Sequence, residues 1–164
     1  MILFFAGFAL MAQNSAVDKL FDKYSGKDGY TSILISKYMF SMFSDVNPDN
    51  KEFNDLVGKL NSIKILASDS SNTEGVNFYK EIISQVNVGS YKELMKIKQS
   101  DEDVVFYAKY DSNVISELLL IAGGGDDNAV ISIKGKINLK DMAQLSKSVH
   151  IDGFEHMDKL KDVK

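Results

Sequence analysis

A chain of 164 residues with 45% hydrophobic side chains has the size of a single domain and can form a substantial core. Its formal net charge is −4, and the sequence has no basic run interleaved with aromatic residues, so a nucleic-acid partner is not expected. The chain has no cysteine, which excludes disulfides, thiolate metal ligands and thiol nucleophiles. The fold must therefore be stabilised by its core.

The N-terminal stretch MILFFAGFALMAQ contains an uninterrupted apolar run from Ile2 to Met11. This length is typical of a signal peptide and is too short to span a bilayer, which needs about 20 apolar residues. We expect residues 1–12 to be a signal peptide, cleaved after Ala12 so that Gln13 begins the mature chain. The mature protein is then exported, either periplasmic or secreted, without a membrane span. The alternative is a buried N-terminal helix.

Helices and two strands are expected in the first part of the domain, which we assign to residues 13–150. Apolar residues at helical spacing predict a helix over 17–24, and SGKDG ends it. The stretch YTSILIS then predicts a strand, and Ser36 can cap a second helix with the sequence KYMFSMF. Helical spacing resumes over 53–60, SIKILAS predicts a second strand, and VNFYKEIISQV predicts another helix.

From Tyr91 onward the hydrophobic period changes from 3.6 to 2, and turn signals recur about every ten residues. Four strands follow, with the sequences YKELMKIKQ, VVFYAKY, VISELLLIA and AVISIKGKI, which together predict an antiparallel β-meander. In the last strand Ile131, Ile133 and Ile137 share one side, and Ser132, Lys134 and Lys136 share the other. We expect the isoleucine side to be covered and the serine side to face solvent.

A closing helix and a polar tail complete the prediction. Asn138 is expected to cap the helix, with Asp141 in the position of a capping box, and this helix should lie on the apolar side of the sheet. Residues 151–164 form a polar tail. The predicted fold class is α+β: a single domain with a meander of about four strands, two earlier strands, and helices packed on one face.

The three consecutive glycines, residues 123–125, raise the possibility of a phosphate-binding loop. Such a loop needs a helix directly after the glycines, so that its free N–H groups meet the anion. Here Asp126, Asp127 and a further strand follow, and the acidic side chains would repel a phosphate. The glycines instead predict a hairpin turn that needs positive φ values.

Other patterns typical of active sites are incomplete. The segment 45–56 begins with oxygen ligands at calcium-loop spacing but lacks the loop's glycine and its bidentate glutamate. The two histidines, His150 and His156, do not have a zinc-binding spacing, and no serine elbow occurs. We therefore assign no catalytic, cofactor-binding or metal-binding residues and expect no cofactor.

The segment SKYMFSMF is the candidate interaction surface. On a helix Met39, Phe40 and Phe43 can face the core, whereas Tyr38 and Met42 lie off that stripe. Flexible methionines beside aromatic residues are typical of surfaces that bind partners. Tyr38 and Met42 are therefore the candidate interaction residues. The alternative is a helix that is buried on two sides.

Several segments, in the same order, resemble the family labelled domain of unknown function 4252, which consists of small exported proteins of Bacteroidetes. The similar stretches are FDKYSGKDGYTSILISKYMFSMF, YKELMKIKQSDEDVVFYAK, ISELLLIA and ISIKGKINLKDMAQL. The resemblance implies an exported α+β domain of unassigned function and provides no functional residues. Some relatives look like lipoproteins with a cysteine after the signal. This chain has no cysteine, so we expect a soluble periplasmic protein without a lipid anchor.

The leading hypothesis is an exported interaction module of the cell envelope, involved in stress sensing, with an envelope protein as its partner and without catalysis. The first alternative is a small periplasmic hydrolase that uses carboxylates or a bound metal. It would show an apolar pocket with convergent acidic residues of perturbed pKa. The second alternative is a structural envelope protein that associates with itself through an exposed strand edge of the meander.

Overall fold

The computed structural model describes residues 15–46, 49–68, 76–85, 90–124, 127–138 and 141. These residues form four helices and six strands of a single α+β domain. In chain order the elements are α1 (Ala16–Tyr24), β1 (Tyr30–Ser36), α2 (Lys37–Val46), α3 (Lys51–Lys59), β2 (Leu60–Ser68), α4 (Phe78–Ile83), β3 (Tyr91–Lys98), β4 (Glu102–Asp111), β5 (Val114–Gly124) and β6 (Asp127–Ile137).

All six strands belong to one antiparallel sheet with the order β1-β2-β6-β5-β4-β3. Strands β3 to β6 form the predicted meander, because each pairs with its neighbour in sequence. The two earlier strands extend the sheet on the other side of β6. The predicted α+β class, with the meander and two earlier strands in a single domain, is confirmed, and the sheet has two edges, β1 and β3.

Helices α1 and α4 pack on one face of the sheet. Helix α1 buries the predicted apolar stripe and begins with a capping box, in which the Ser15 hydroxyl accepts from the Asp18 N–H. Helix α4 presents the fully buried Phe78 and Ile82. This side forms the first core cluster, whose buried members are Val17, Leu20, Phe21, Tyr24, Leu66, Phe78, Tyr79, Ile82, Val105, Tyr107, Leu119, Ile121 and Val130.

Helices α2 and α3 pack around a second core cluster, made from alternate strand residues. Leu118 belongs to this cluster, whereas its neighbour Leu119 belongs to the first. Successive side chains of a strand point to opposite sides of the sheet, so the second cluster lies on the side opposite to α1 and α4. Its buried members are Phe40, Val57, Leu60, Ala108, Ile115, Leu118 and Ile137.

The predicted sides of β6 are confirmed in part. The isoleucine side is covered, since Ile137 is fully buried and Ile133 packs against the second core cluster, but the opposite side is not fully exposed to solvent. Ser132, which we expected to face solvent, is buried, and Lys134 is half-buried, whereas Ile131 and Ile133 are also only half-buried. The reason is that α1 covers the serine side, where Asp18 pairs with Lys134. A polar residue in an alternating strand faces solvent only when no other element offers it a hydrogen bond or an ion pair, because a polar group with such a partner can be buried.

The predicted hairpin at the glycines is confirmed by the pairing of β5 with β6, in which Gly124 lies opposite Asp127. Gly124 has a φ of 147°, which favours glycine. Gly123 is needed for close packing, because a Cβ at this position would lie 2.5 Å from the backbone nitrogen of Tyr79. Asn128, which directly precedes the predicted strand AVISIKGKI, lies in β6, where its amide oxygen accepts from the Phe78 N–H at 2.8 Å.

Two other boundaries can be compared with the sequence. Leu60, which has helical spacing with α3, is the first residue of β2. The capping box at Asn138 is confirmed, because the Asn138 N–H donates to Asp141 at 2.8 Å and the Asp141 N–H donates back at 3.0 Å. Apart from Asp141, the helix expected beyond Asn138 lies outside the described residues, as do the signal peptide at 1–12 and the tail at 151–164.

Candidate functional site

Exposed large apolar side chains concentrate in β1 and α2. The described residues include eight such side chains, and five of them fall within residues 33–42. Exposed apolar residues are normally scattered singly, so their concentration in one segment makes that segment a candidate for an interaction site. We call this surface the apolar edge, and its members are Ile33, Leu34, Tyr38, Met39 and Met42.

The α2 part of the apolar edge contains both residues proposed from the sequence. Tyr38 is 83% exposed and Met42 is 62% exposed. They are one helical turn apart, on the side of α2 opposite to the buried Phe40. The alternative of a helix buried on two sides is therefore wrong for these residues. The expectation that Met39 faces the core is also wrong, because its side chain is exposed.

The β1 part of the apolar edge is an edge strand that lacks the features by which proteins usually prevent pairing with another strand. β1 pairs with β2 along its whole length without a register shift, and no described strand pairs with its outer side. Its sequence YTSILIS has no charged residue and no proline. The opposite edge, β3, carries four charged side chains in YKELMKIK and has an irregular register after Glu93. Charges and bulges discourage pairing between sheet edges, so β3 is protected and β1 is not.

A second group of functional interest is a polar cluster beneath α1. Glu117 in β5 is 4% exposed. The Tyr91 hydroxyl donates to one carboxylate oxygen of Glu117 at 2.8 Å, and the Ser132 hydroxyl donates to the other at 2.6 Å. Burial, together with the charge of Glu117, raises the pKa of Tyr91 above its usual range. The Tyr91 hydroxyl is therefore a neutral hydrogen-bond donor.

Asp18 of α1 connects this polar cluster to two lysines. The Lys64 ammonium group donates to Asp18, and the Lys134 Nζ lies 3.5 Å from the same carboxylate. Lys134 in turn lies opposite Glu117 in the β5–β6 register. Partial burial raises the pKa of Asp18, but the hydrogen bonds from Lys64 and Ser15 outweigh it, and the pKa falls from 3.8 to about 2.

The polar cluster is arranged to satisfy buried charges. Both oxygens of Glu117 accept a hydrogen bond, and Asp18 is neutralised by lysines. Sequence reasoning missed these residues, although a lone glutamate within the apolar strand VISELLLIA was a usable signal. In the part of the chain that the structure describes, no group of three or more His, Asp or Glu residues could hold a metal ion.

The fold and these surfaces define a small α+β domain with one six-stranded sheet. The chain matches the family model described as domain of unknown function (DUF4252) over residues 24–145, and it belongs to this family. No curated protein and no solved structure matches the chain. Among the described residues, no helix has the length and hydrophobicity needed to cross a membrane.

Proposed function

We propose that the protein is an exported interaction module of the cell envelope, which binds an envelope protein through its apolar edge and does not act as an enzyme. The observation that carries this proposal is the exposure of Tyr38 and Met42 next to an uncharged edge strand. Burying a large apolar side chain contributes about 1.5–3 kcal/mol, so the apolar edge offers a partner a substantial gain.

The composition of the apolar edge also fits a role in binding. Tyrosine and methionine are enriched in the centres of protein interfaces. Methionine adapts to irregular partner surfaces because its side chain is flexible and polarizable. The remaining exposed apolar residues, Leu94, Tyr110 and Val114, are spread over three strands of the meander.

The hydrolase alternative has less support. It requires acidic residues that converge on a pocket open to substrate. Glu117 is buried and uses both oxygens for hydrogen bonds, and Asp18 is held ionised by two lysines. The alternative of a structural protein that associates through the meander is disfavoured at β3 by the charges on that strand.

Site-specific crosslinking in the native envelope tests the proposed surface. A photoreactive amino acid replaces Tyr38 or Met42, and the matched control replaces Tyr110, an exposed tyrosine of β4. We expect positions 38 and 42 to give a discrete product that contains one other protein, identified by mass spectrometry. Position 110 should not give this product. Met42→Asp should weaken the product from position 38, and Tyr38→Asp should weaken the product from position 42, while both variants remain folded by circular dichroism.

Three results would contradict the proposal. Equal crosslinking at position 110, or none at positions 38 and 42, would show that the apolar edge does not bind a partner. A hydrolytic activity of the purified protein that disappears in Glu117→Gln would show that it is an enzyme. Retention of residues 1–12 in cells, with the protein confined to the cytoplasm, would overturn the export part of the proposal.

A further inference from the structure

We infer that β1 is a docking strand for a second copy of this chain, so that two sheets join edge to edge through antiparallel β1–β1 pairing. This inference deepens the proposed function, because it assigns the strand part of the apolar edge to self-association and leaves α2 for the envelope partner. It rests on the shape and charge of β1.

The backbone of β1 is suited to accept another strand. It is a strand of seven residues, Tyr30–Ser36, that pairs with β2 at every position and has no bulge that would twist it away from a partner. Strand addition to such an edge gains main-chain hydrogen bonds along its length, and the side chains select the partner. Thr31, Ser32, Ile33 and Leu34 are all exposed.

The side chains of β1 permit pairing with a second copy. Each copy carries a net charge of −4, which opposes association of identical chains, but β1 has no ionisable side chain. Two copies can therefore meet at this strand without placing like charges opposite each other. A strand adapted to a charged partner would be expected to carry complementary charges.

Antiparallel pairing of β1 with itself is also sterically consistent. Full overlap of two seven-residue strands places Ile33 opposite Ile33 of the second copy, Ile35 opposite Thr31, and Leu34 opposite Ser32. β-branched residues such as isoleucine and threonine are favoured in cross-strand pairs. The arrangement is a closed two-fold dimer, in which the same surface is used by both copies.

The two-fold arrangement has a consequence for α2. A two-fold axis perpendicular to the joined sheet keeps corresponding faces on the same side. The α2 helices of the two copies then lie on one face of the joined sheet, at opposite ends of the β1–β1 contact. Tyr38 and Met42 are thus presented twice by the dimer.

The mass of the mature protein, which we expect to begin at Gln13, tests the inference when it is measured in solution by sedimentation over a range of concentrations. We expect the wild type to reach twice its monomer mass. Ile33→Lys places like charges opposite each other and should weaken association at least about tenfold. Leu94→Lys on β3 is the matched control, because Leu94 and Ile33 are both 43% exposed, and it should leave association unchanged.

A mixing experiment makes the register itself testable. Ile33→Lys and Ile33→Glu should each be monomeric, and mixing them should restore a dimer because opposite charges then face each other across the two-fold axis. Circular dichroism should show that both variants are folded.

Three results would contradict the β1–β1 contact. A monomeric wild type would show that a second copy is not the occupant, while crosslinking to an envelope protein at position 38 would still support the proposed function. A dimer that is broken by Tyr38→Asp and not by Ile33→Lys would assign self-association to α2. A dimer unaffected by either variant would place the contact elsewhere.

Discussion

Similar residues are buried in one region of the molecule and exposed in another. The first region is the side of the sheet beneath α1 and α4, which we call the covered side, and the second is the apolar edge at β1 and α2. On the covered side, Tyr24 stacks on Tyr30 with ring centroids 4.6 Å apart, and Phe78 is fully buried beside them. At the apolar edge, Tyr38 and Met42 project away from the core. Hydrophobicity therefore does not distinguish buried from exposed residues here, whereas packing against elements distant in sequence does.

The two regions also differ in their polar residues. Glu117, Ser132 and Asn128 are buried on the covered side, each with hydrogen-bond partners. The strand β1 at the apolar edge contains serine and threonine without any charge. The covered side is thus specified by polar contacts, whereas the apolar edge lacks the charges that would keep other strands away.

The largest difference between the two regions should appear on truncating an aromatic side chain. Phe78→Ala creates a cavity in the first core cluster and should lower the free energy of unfolding by about 3–5 kcal/mol. Tyr38→Ala at the apolar edge should change it by no more than about 0.5 kcal/mol. Urea denaturation of both variants checks this, and similar losses would show that Tyr38 is packed.

A smaller effect is expected where α4 approaches β5. Gly123→Ala forces a methyl group against the Tyr79 backbone and should destabilise the protein by about 1–3 kcal/mol. The matched control is Gly58→Ala in α3, since nothing lies within 4 Å of its added Cβ. That change should stabilise the protein by about 0.5–1 kcal/mol through helix propensity. Thermal unfolding would contradict the close approach if both variants were stabilised.

The ion pairs of Asp18 predict a pH-dependent contribution on the covered side. Its pKa is about 2 in the folded protein and 3.8 in the reference state, so its stabilisation is complete well above pH 3.8 and is lost as pH falls through about 2. After allowance for its partial exposure, we expect about 1 kcal/mol. Denaturation of wild type and Asp18→Asn at pH 6 and pH 2 should show a stability difference that shrinks in acid. A constant difference would exclude this role for the charge.

The smallest effect on stability should come from the surface assigned to binding. Met42→Asp should change the free energy of unfolding by no more than about 0.5 kcal/mol, because the side chain is exposed. The same variant should strongly reduce crosslinking from position 38. If stability and crosslinking both remain unchanged, Met42 lies outside the contact and the binding surface is confined to the remaining residues.

Much of the fold could be predicted from local sequence patterns. The stripe Val17, Leu20, Phe21 and Tyr24 indicates α1, and the period-two residues after Tyr91 indicate the meander. The candidate residues Tyr38 and Met42 were found because they lie off the apolar stripe of their helix. Met39 was misassigned, because helical spacing shows which residues share a side and not how far the neighbouring elements extend over it.

The polar cluster could not be assembled from the sequence. Asp18, Lys64 and Glu117 lie on α1, β2 and β5, and their contacts depend on how these elements pack. A serine in an alternating strand has the same pattern whether it faces solvent or a hydrogen-bond partner. The burial of Ser132 therefore could not be predicted without the position of α1.

The sequence by itself determined the helices, the strands, the hairpin at the glycines and the family, because these depend on local periodicity, turn residues and similarity along the chain. The tertiary structure decided that β1 and β3 are the sheet edges, that Ser132 is buried and that Tyr38 and Met42 are exposed. Exposure and edge position are set by contacts between residues far apart in sequence, and the free energy of those contacts belongs to the assembled fold.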